Sequence, residues 1–184
     1  MDADALYLTL AALAFAVALN LRLTLAVLDR TRRAAHPATM LRPGEQLPDV
    51  GATMLAGGAK VRLGAPGQAL ALLFLSSRCP KCRDKLAGIG ALAGAAGEAG
   101  LAWWIVSEES RWRLRSLLRG SALAANTLRV GQGDYRRLNP TRASPAYLFV
   151  NHEGRIEAAG LVGDGQWREL ERQLTGEAIA EHAA

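Results

Sequence analysis

The stretch Leu70-Ala71-Leu72-Leu73-Phe74-Leu75-Ser76-Ser77-Arg78-Cys79-Pro80-Lys81-Cys82 decides how the rest of the chain is read. The apolar run from Ala69 to Leu75 has the composition of a strand buried on both faces, and it stops at two serines. Pro80 suits the first turn of a helix, where its missing N–H leaves no bond unmade, so a helix is predicted from Pro80 to about Ala99. Cys79 and Cys82 are the only 2 cysteines in 184 residues. A Cys-x-x-Cys pair at a strand-to-helix junction is arranged for redox chemistry, because sulfurs one helical turn apart close a small disulfide ring. The first faces solvent at the helix tip and the second packs beneath it. Unsatisfied N–H groups at the helix start favour the Cys79 thiolate, as do the cations Arg78, Lys81, Arg83 and Lys85. Cys79 is therefore the candidate nucleophile and Cys82 the resolving thiol. Inert cysteines and a two-cysteine copper(I) or zinc site are the alternatives left open by the spacing.

The composition narrows the choices. Half of the residues are apolar but only 5% are aromatic, so the core is built from Leu, Ala and Val. The net charge of +5 is spread thinly, +2 up to Pro43 and +3 beyond it, which excludes a strong nucleic-acid signature. No second Cys-x-x-Cys exists, and His36, His152 and His182 are far apart, so no structural metal site is expected.

Residues 5–28 are apolar except for Thr9, Asn20, Arg22 and Thr24. As a helix they span roughly 36 Å at about 1.5 Å per residue, against a bilayer core of about 30 Å. They are read as a transmembrane anchor in contact with lipid, with Arg22 near enough to the end to snorkel. A cleaved signal fits less well, since Met1-Asp2-Ala3-Asp4 is acidic. Residues 29–48, with Pro37, Pro43, Gly44 and Pro48, read as a linker, residues 49–176 as the folded domain, and 177–184 as a flexible tail.

Within the domain, Ala52–Leu55 and Lys60–Leu63 flank a Gly57-Gly58 turn, and Leu101–Val106 is a second buried strand. Ser107-Glu108-Glu109 is expected to cap a helix running to about Leu118, its acids in the first turn. Thr127–Val130 reads as a strand and 131–141 as a turn-rich connection. Ala146–Val150 and Ile156–Leu161 form a hairpin about Asn151-His152-Glu153-Gly154, and a last helix runs from about Asp164 to Leu174. The alternation predicts an α/β domain, a mixed sheet with helices on both faces. Trp103 and Trp104 read as packing residues. Arg111, Arg115 and Arg119 share a helical face beside Trp112, expected to be a solvated basic surface.

Ser144-Pro145 immediately precedes the strand at Ala146, a position open to proline. Combined with the upstream Cys-x-x-Cys, it looks like the cis-proline of thioredoxin-like folds. Gly44-Glu45-Gln46-Leu47-Pro48-Asp49-Val50, Cys79-Pro80-Lys81-Cys82 and the run from Ser144 to Ile156 resemble membrane-anchored thioredoxin-like proteins. Among these the chain is most similar to the methylamine dehydrogenase accessory (maturation) type, which has a Cys-Pro-x-Cys loop, an N-terminal anchor and a basic linker. The resemblance implies a thioredoxin-like fold and an enzyme that forms or isomerises disulfides. Its only redox group would be the Cys79–Cys82 disulfide, with no other cofactor and no metal. Its partners would be a cysteine-containing client protein, such as an amine dehydrogenase subunit, and a membrane or periplasmic redox partner. It also implies that Ser144 and Pro145 bind the client, the backbone before the proline pairing with an extended segment. Arg78, Pro80 and Lys81 would modulate the loop.

The accessory type lacks a tryptophan before its loop, but two features depart from the wider thioredoxin pattern. Arg78 replaces the tryptophan common before the first cysteine, and the strand before the loop has no acid to take a proton from Cys82. Glu108 and Glu109 are the nearest candidates, and Lys81 the alternative. Arg30, Arg32 and Arg33 place the domain in the cytoplasm by the positive-inside rule. Disulfide formation belongs outside it, so a single pass through the inner membrane with a periplasmic domain is expected. Three rival functions share part of these features. A cytochrome c maturation thioredoxin differs in client and electron direction, and a tethered copper(I) carrier or redox sensor would need no exchange. A peroxiredoxin has a hydroxyl where Ser76 lies, but Leu72 stands where its loop proline belongs.

Overall fold

Residues 3–35 and 39–176 are described by the computed structural model, and the chain divides into two units between Ala38 and Thr39. The first is a helix, α1 (Ala3–Ala35). Its side chains are described at Tyr7 and over residues 10–25, where Leu13, Phe15 and Leu21 are exposed. Among the described residues, no helix is long and apolar enough to cross a membrane. The linker read over 29–48 is helical as far as Ala35, in a run of Asp, Arg and Ala without a breaker. At its other end it is pinned to the second unit. The Gly44 N–H donates to the Ile156 carbonyl at 2.8 Å, that of Leu47 to Gly154 at 2.8 Å, and Leu47 is buried. The tail at 177–184 lies outside the described residues.

The second unit runs β1 (Val50–Met54), β2 (Lys60–Leu63), β3 (Leu70–Phe74), α2 (Pro80–Glu98), β4 (Ala102–Ser107), α3 (Arg111–Leu117), β5 (Thr127–Val130), α4 (Gln132–Leu138), β6 (Ala146–Val150), β7 (Ile156–Leu161) and α5 (Gly165–Thr175). The strands make one 7-stranded mixed sheet in the order β2-β1-β5-β4-β3-β6-β7. Strands β3, β4 and β5 are parallel, and the other pairings are antiparallel.

The apolar run of β3 divides by its two-residue period between two cores. Ala71, Leu73 and Leu75 join Ile89 and Leu92 of α2, Leu114 of α3 and Trp167 of α5. Leu72 and Phe74 join Tyr135 and Leu138 of α4 on the other side. Each fully buried leucine contributes roughly 1.5–3 kcal/mol of transfer free energy, so the central strand stabilises both layers. Trp103 is buried and Trp104 half-buried, in agreement with a packing role.

Two local expectations are corrected. Helix α3 starts at Arg111 with Ser110 as its N-cap, leaving Glu108 and Glu109 in the preceding loop, engaged elsewhere. The connection at 131–141 contains helix α4, capped by Gly131, with Asp134 in its first turn and Tyr135 and Leu138 buried on one face. Two apolar residues one turn apart suffice for so short a helix once the sheet covers them. The basic face of α3 is also partly engaged, since Arg111 donates to the Leu55 carbonyl at 3.1 Å.

Asp164 ties the end of the domain together. Its carboxylate accepts from the Trp167 N–H at the start of α5 (2.9 Å), the Leu161 N–H at the end of β7 (3.0 Å) and the Tyr147 hydroxyl of β6 (2.9 Å). Burial and then this carboxylate raise the Tyr147 pKa, so the phenol stays a donor at any pH the fold tolerates. Asp164→Ala is expected to destabilise the domain by about 2–3 kcal/mol, a cap plus side-chain bonds, and Tyr147→Phe by about 1 kcal/mol. Urea unfolding followed by tryptophan fluorescence measures both.

Candidate active site

Register brings the reactive residues together. Phe74, the last residue of β3, lies opposite Val106 of β4 on one side and Ala146 of β6 on the other. Because β6 is antiparallel to β3, the segment leaving β3 lands beside the segment entering β6. Because β4 is parallel, its exit loop falls on the other flank. Cys79, Ser144-Pro145 and Glu108-Glu109 therefore meet at one end of the sheet's central strands, though 65 residues separate the first two.

Beyond β3 the chain turns tightly. The Cys79 N–H donates to the Ser76 carbonyl at 3.2 Å, and that of Cys82 to the Cys79 carbonyl at 3.1 Å. Cys79 is the N-cap of α2, in extended conformation with Pro80 next, and makes no side-chain capping bond. Its thiol is half-buried and donates to the Ser144 carbonyl at 3.3 Å. The Ser144–Pro145 peptide bond is cis, the isomer expected from the sequence, and Pro145 is buried. The Pro145 carbonyl accepts from the Val162 N–H at 3.1 Å.

Cys82 is fully buried and accepts from the Ser76 N–H at 3.5 Å. Burial pushes its pKa up from the ordinary 9.0 to about 12. The neighbouring Cys79 and the charge of Glu109 push the same way, and the Ser76 amide opposes them. Glu109 lies directly beneath the loop. It accepts from the Ser76 hydroxyl at 2.8 Å and the Ser77 N–H at 3.1 Å, and its own carbonyl accepts from Arg129 at 3.0 Å. Ser76 thus touches both Cys82 and Glu109. Glu108 instead pairs with Arg142.

The loop cations are exposed, and only Arg83 among them donates locally, to the Ser77 carbonyl at 3.3 Å. Lys81 and Lys85 border a cavity of about 220 Å³ with Pro145, Leu161 and Val162. Asn139 has no part in the sequence reading. It is buried, donates to the Ala143 carbonyl at 2.9 Å and accepts from the Ala143 N–H and the Thr141 hydroxyl, bracing the loop that presents Ser144. Its signal is the run Asn139-Pro140-Thr141, an Asx-type turn just before a strand.

No family model matches the chain, and no curated protein matches it. Solved structures do. The chain is similar to the thioredoxin domain of a thiol-disulfide oxidoreductase from Bacteroides vulgatus, at 19% identity and a TM-score of 0.61, over 73% of this chain and 99% of that one. A thiol:disulfide interchange protein from Bacteroides sp. is also 19% identical with a TM-score of 0.61, over 73% and 91%. MTB DsbF, at 19% identity and a TM-score of 0.55, is covered over 75% and 98%. At such identity the likeness establishes the fold, and the chain has the thioredoxin-like fold.

Because the folded protein holds Cys82 as a thiol while an unfolded chain ionises it near 9, the reduced protein loses stability as pH rises from about 9 towards 12. At pH 8, iodoacetamide is expected to label Cys79 alone until the protein is denatured. Glu109→Gln removes one of the charges that hold Cys82 protonated, so its onset of labelling moves to lower pH. Peptide mass spectrometry of the labelled protein reads both.

Proposed function

We propose that the chain is a membrane-tethered thiol–disulfide oxidoreductase that forms or isomerises disulfides in an extracytoplasmic client, such as an amine dehydrogenase subunit. One observation carries this reading: the Cys79 thiol stands at a helix N-terminus, 3.3 Å from the carbonyl that precedes Pro145, with Cys82 buried beneath it. A client segment pairing with Ser144 brings its sulfur against Cys79.

In the first step the Cys79 thiolate attacks a client disulfide. The client S–S bond breaks, a Cys79–client bond forms, and one client thiolate leaves. A client thiolate that attacks the client sulfur of this mixed disulfide makes a new client bond and returns Cys79 unchanged, which is isomerisation. Attack by Cys82 on Cys79 instead releases the client reduced and leaves the Cys79–Cys82 disulfide. That attack needs the Cys82 proton removed. In the reduced protein a value of about 12 keeps the Cys82 thiolate scarce near neutral pH, so its attack needs a proton acceptor. Glu109, whose charge Cys82 feels, takes that proton. Run backwards from the disulfide state, the same steps oxidise a client dithiol, and a membrane or periplasmic redox partner restores the disulfide.

The anchor read over 5–28 supplies the tether and the inner membrane the location, with the domain periplasmic. Support comes from the apolar run and from the use of disulfide chemistry outside the cytoplasm.

Cys82→Ser is expected to accumulate a mixed disulfide between Cys79 and an extracytoplasmic protein in cells; recovery of no Cys79 adduct under oxidising conditions defeats the exchange reading. The full chain is expected to stay with membranes through an alkaline carbonate wash. A reporter active only outside the cytoplasm is expected to work when fused after Ala184, and activity solely of a cytoplasmic reporter would reverse the orientation.

A further inference from the structure

On the β4 side of Cys79, away from Pro145, a second cavity of about 570 Å³ opens over the loop that follows β4. Arg78, Trp112, Arg113 and Gln132 line it together with Glu108 and Glu109. Its charges are unequally occupied. Glu108 is paired with Arg142, and Glu109 is held by Ser76 and Ser77. Among the described residues, Arg78 and Arg113 form no ion pair with any carboxylate. The Arg113 guanidinium instead lies 5.3 Å from the centroid of the Trp112 ring, and Trp112 is 67% exposed. Two further oxygens in the wall, Glu108 Oε2 and Ser110 Oγ, are buried without a hydrogen-bond partner. Such groups are normally satisfied, so this wall is polar beneath its surface.

We infer that this cavity is a client-recognition subsite selecting an acidic segment beside the reactive cysteine, the carboxylate going to Arg78 and Arg113 and the neighbouring backbone lying on Trp112. The assignment rests on the exchange reading of Cys79. Trp and Arg are the residue types that concentrate binding free energy at interfaces, and two cations without partners set the sign of what they recruit. The reach is short. Arg78 is the chain neighbour of Cys79, about 3.8 Å away between Cα atoms, and an extended client advances about 3.3 Å per residue. Client positions a few residues from the attacked cysteine therefore fall on the cavity.

The test uses the full chain carrying Cys82→Ser and short peptides, each with one central cysteine held as a mixed disulfide with thionitrobenzoate. Asp, Asn or Lys stands next but one to that cysteine on either side. Cys79 attacks the peptide sulfur, the peptide–thionitrobenzoate bond breaks, the thiol proton passes to solvent, and the coloured thionitrobenzoate anion leaves. At low salt the Asp peptide is expected to react about three- to fivefold faster than the Asn peptide, and the Lys peptide slower by a similar factor, with added salt compressing the spread. In Arg113→Gln the Asp-to-Asn ratio falls towards one, and Arg113→Lys restores most of it. Equal rates for all peptides overturn the subsite and leave exchange standing. A ratio that survives in Arg113→Gln also overturns it, assigning the preference to the loop lysines. Release from no peptide overturns both the subsite and the exchange reading.

Discussion

Strand β3 is hydrogen-bonded along both edges and buried on both faces, so Ser76 and Ser77 are the first residues after it that the sheet does not enclose. Everything at the site depends on that exit. The two serines turn the chain into α2, and their polar groups are taken up by Cys82 and Glu109. A slip of one residue in β3 would exchange Leu72 and Phe74 with Leu73 and Leu75 between the two cores. It would also displace Cys79 from Ser144. The packing that stabilises the domain and the geometry that places the sulfur are therefore one constraint.

Charge around the two cysteines is divided by depth. The cations Arg78, Lys81 and Lys85 lie exposed at the surface around the loop, where solvent screens them. The carboxylate of Glu109 lies lower, among N–H and O–H donors, where it acts on Cys82. The buried thiol thus sits in a field that holds its proton, beneath a surface of the opposite sign.

Much of this was legible locally. The apolar run of β3, Pro80 at the start of α2, the hairpin about Asn151–Gly154 and the proline at 145 each carry their own signal, and the elements lie within a residue or two of expectation. Helix α4 was not legible, because Gly131, Gly133 and Asn139-Pro140 mask a helix whose apolar face is only Tyr135 and Leu138. Glu109 was legible only as one of two acids that could take the Cys82 proton, and its contacts with the loop serines were not. Three positions after the last core residue of β4, it looks like a helix-capping acid. Only the parallel register of β3 and β4 brings it to serines 32 and 33 residues earlier. Asn139 escaped for the same reason, since its value lies in the loop it braces.

The bond from Val162 to the Pro145 carbonyl limits how a client is held. A chain that lies beside Ser144 finds the next carbonyl already used by the domain itself, and β6 beyond it is paired on both sides with β3 and β7, so no full strand can be added there. For a client on the exchange reading, main-chain contact would offer a foothold of about one residue, leaving the remaining affinity to side chains and to the transient sulfur–sulfur bond. On the exchange reading such a grip is loose by construction: with the covalent link cut, little would detain the departing protein, and clients of unrelated folds would need to share only a short exposed segment.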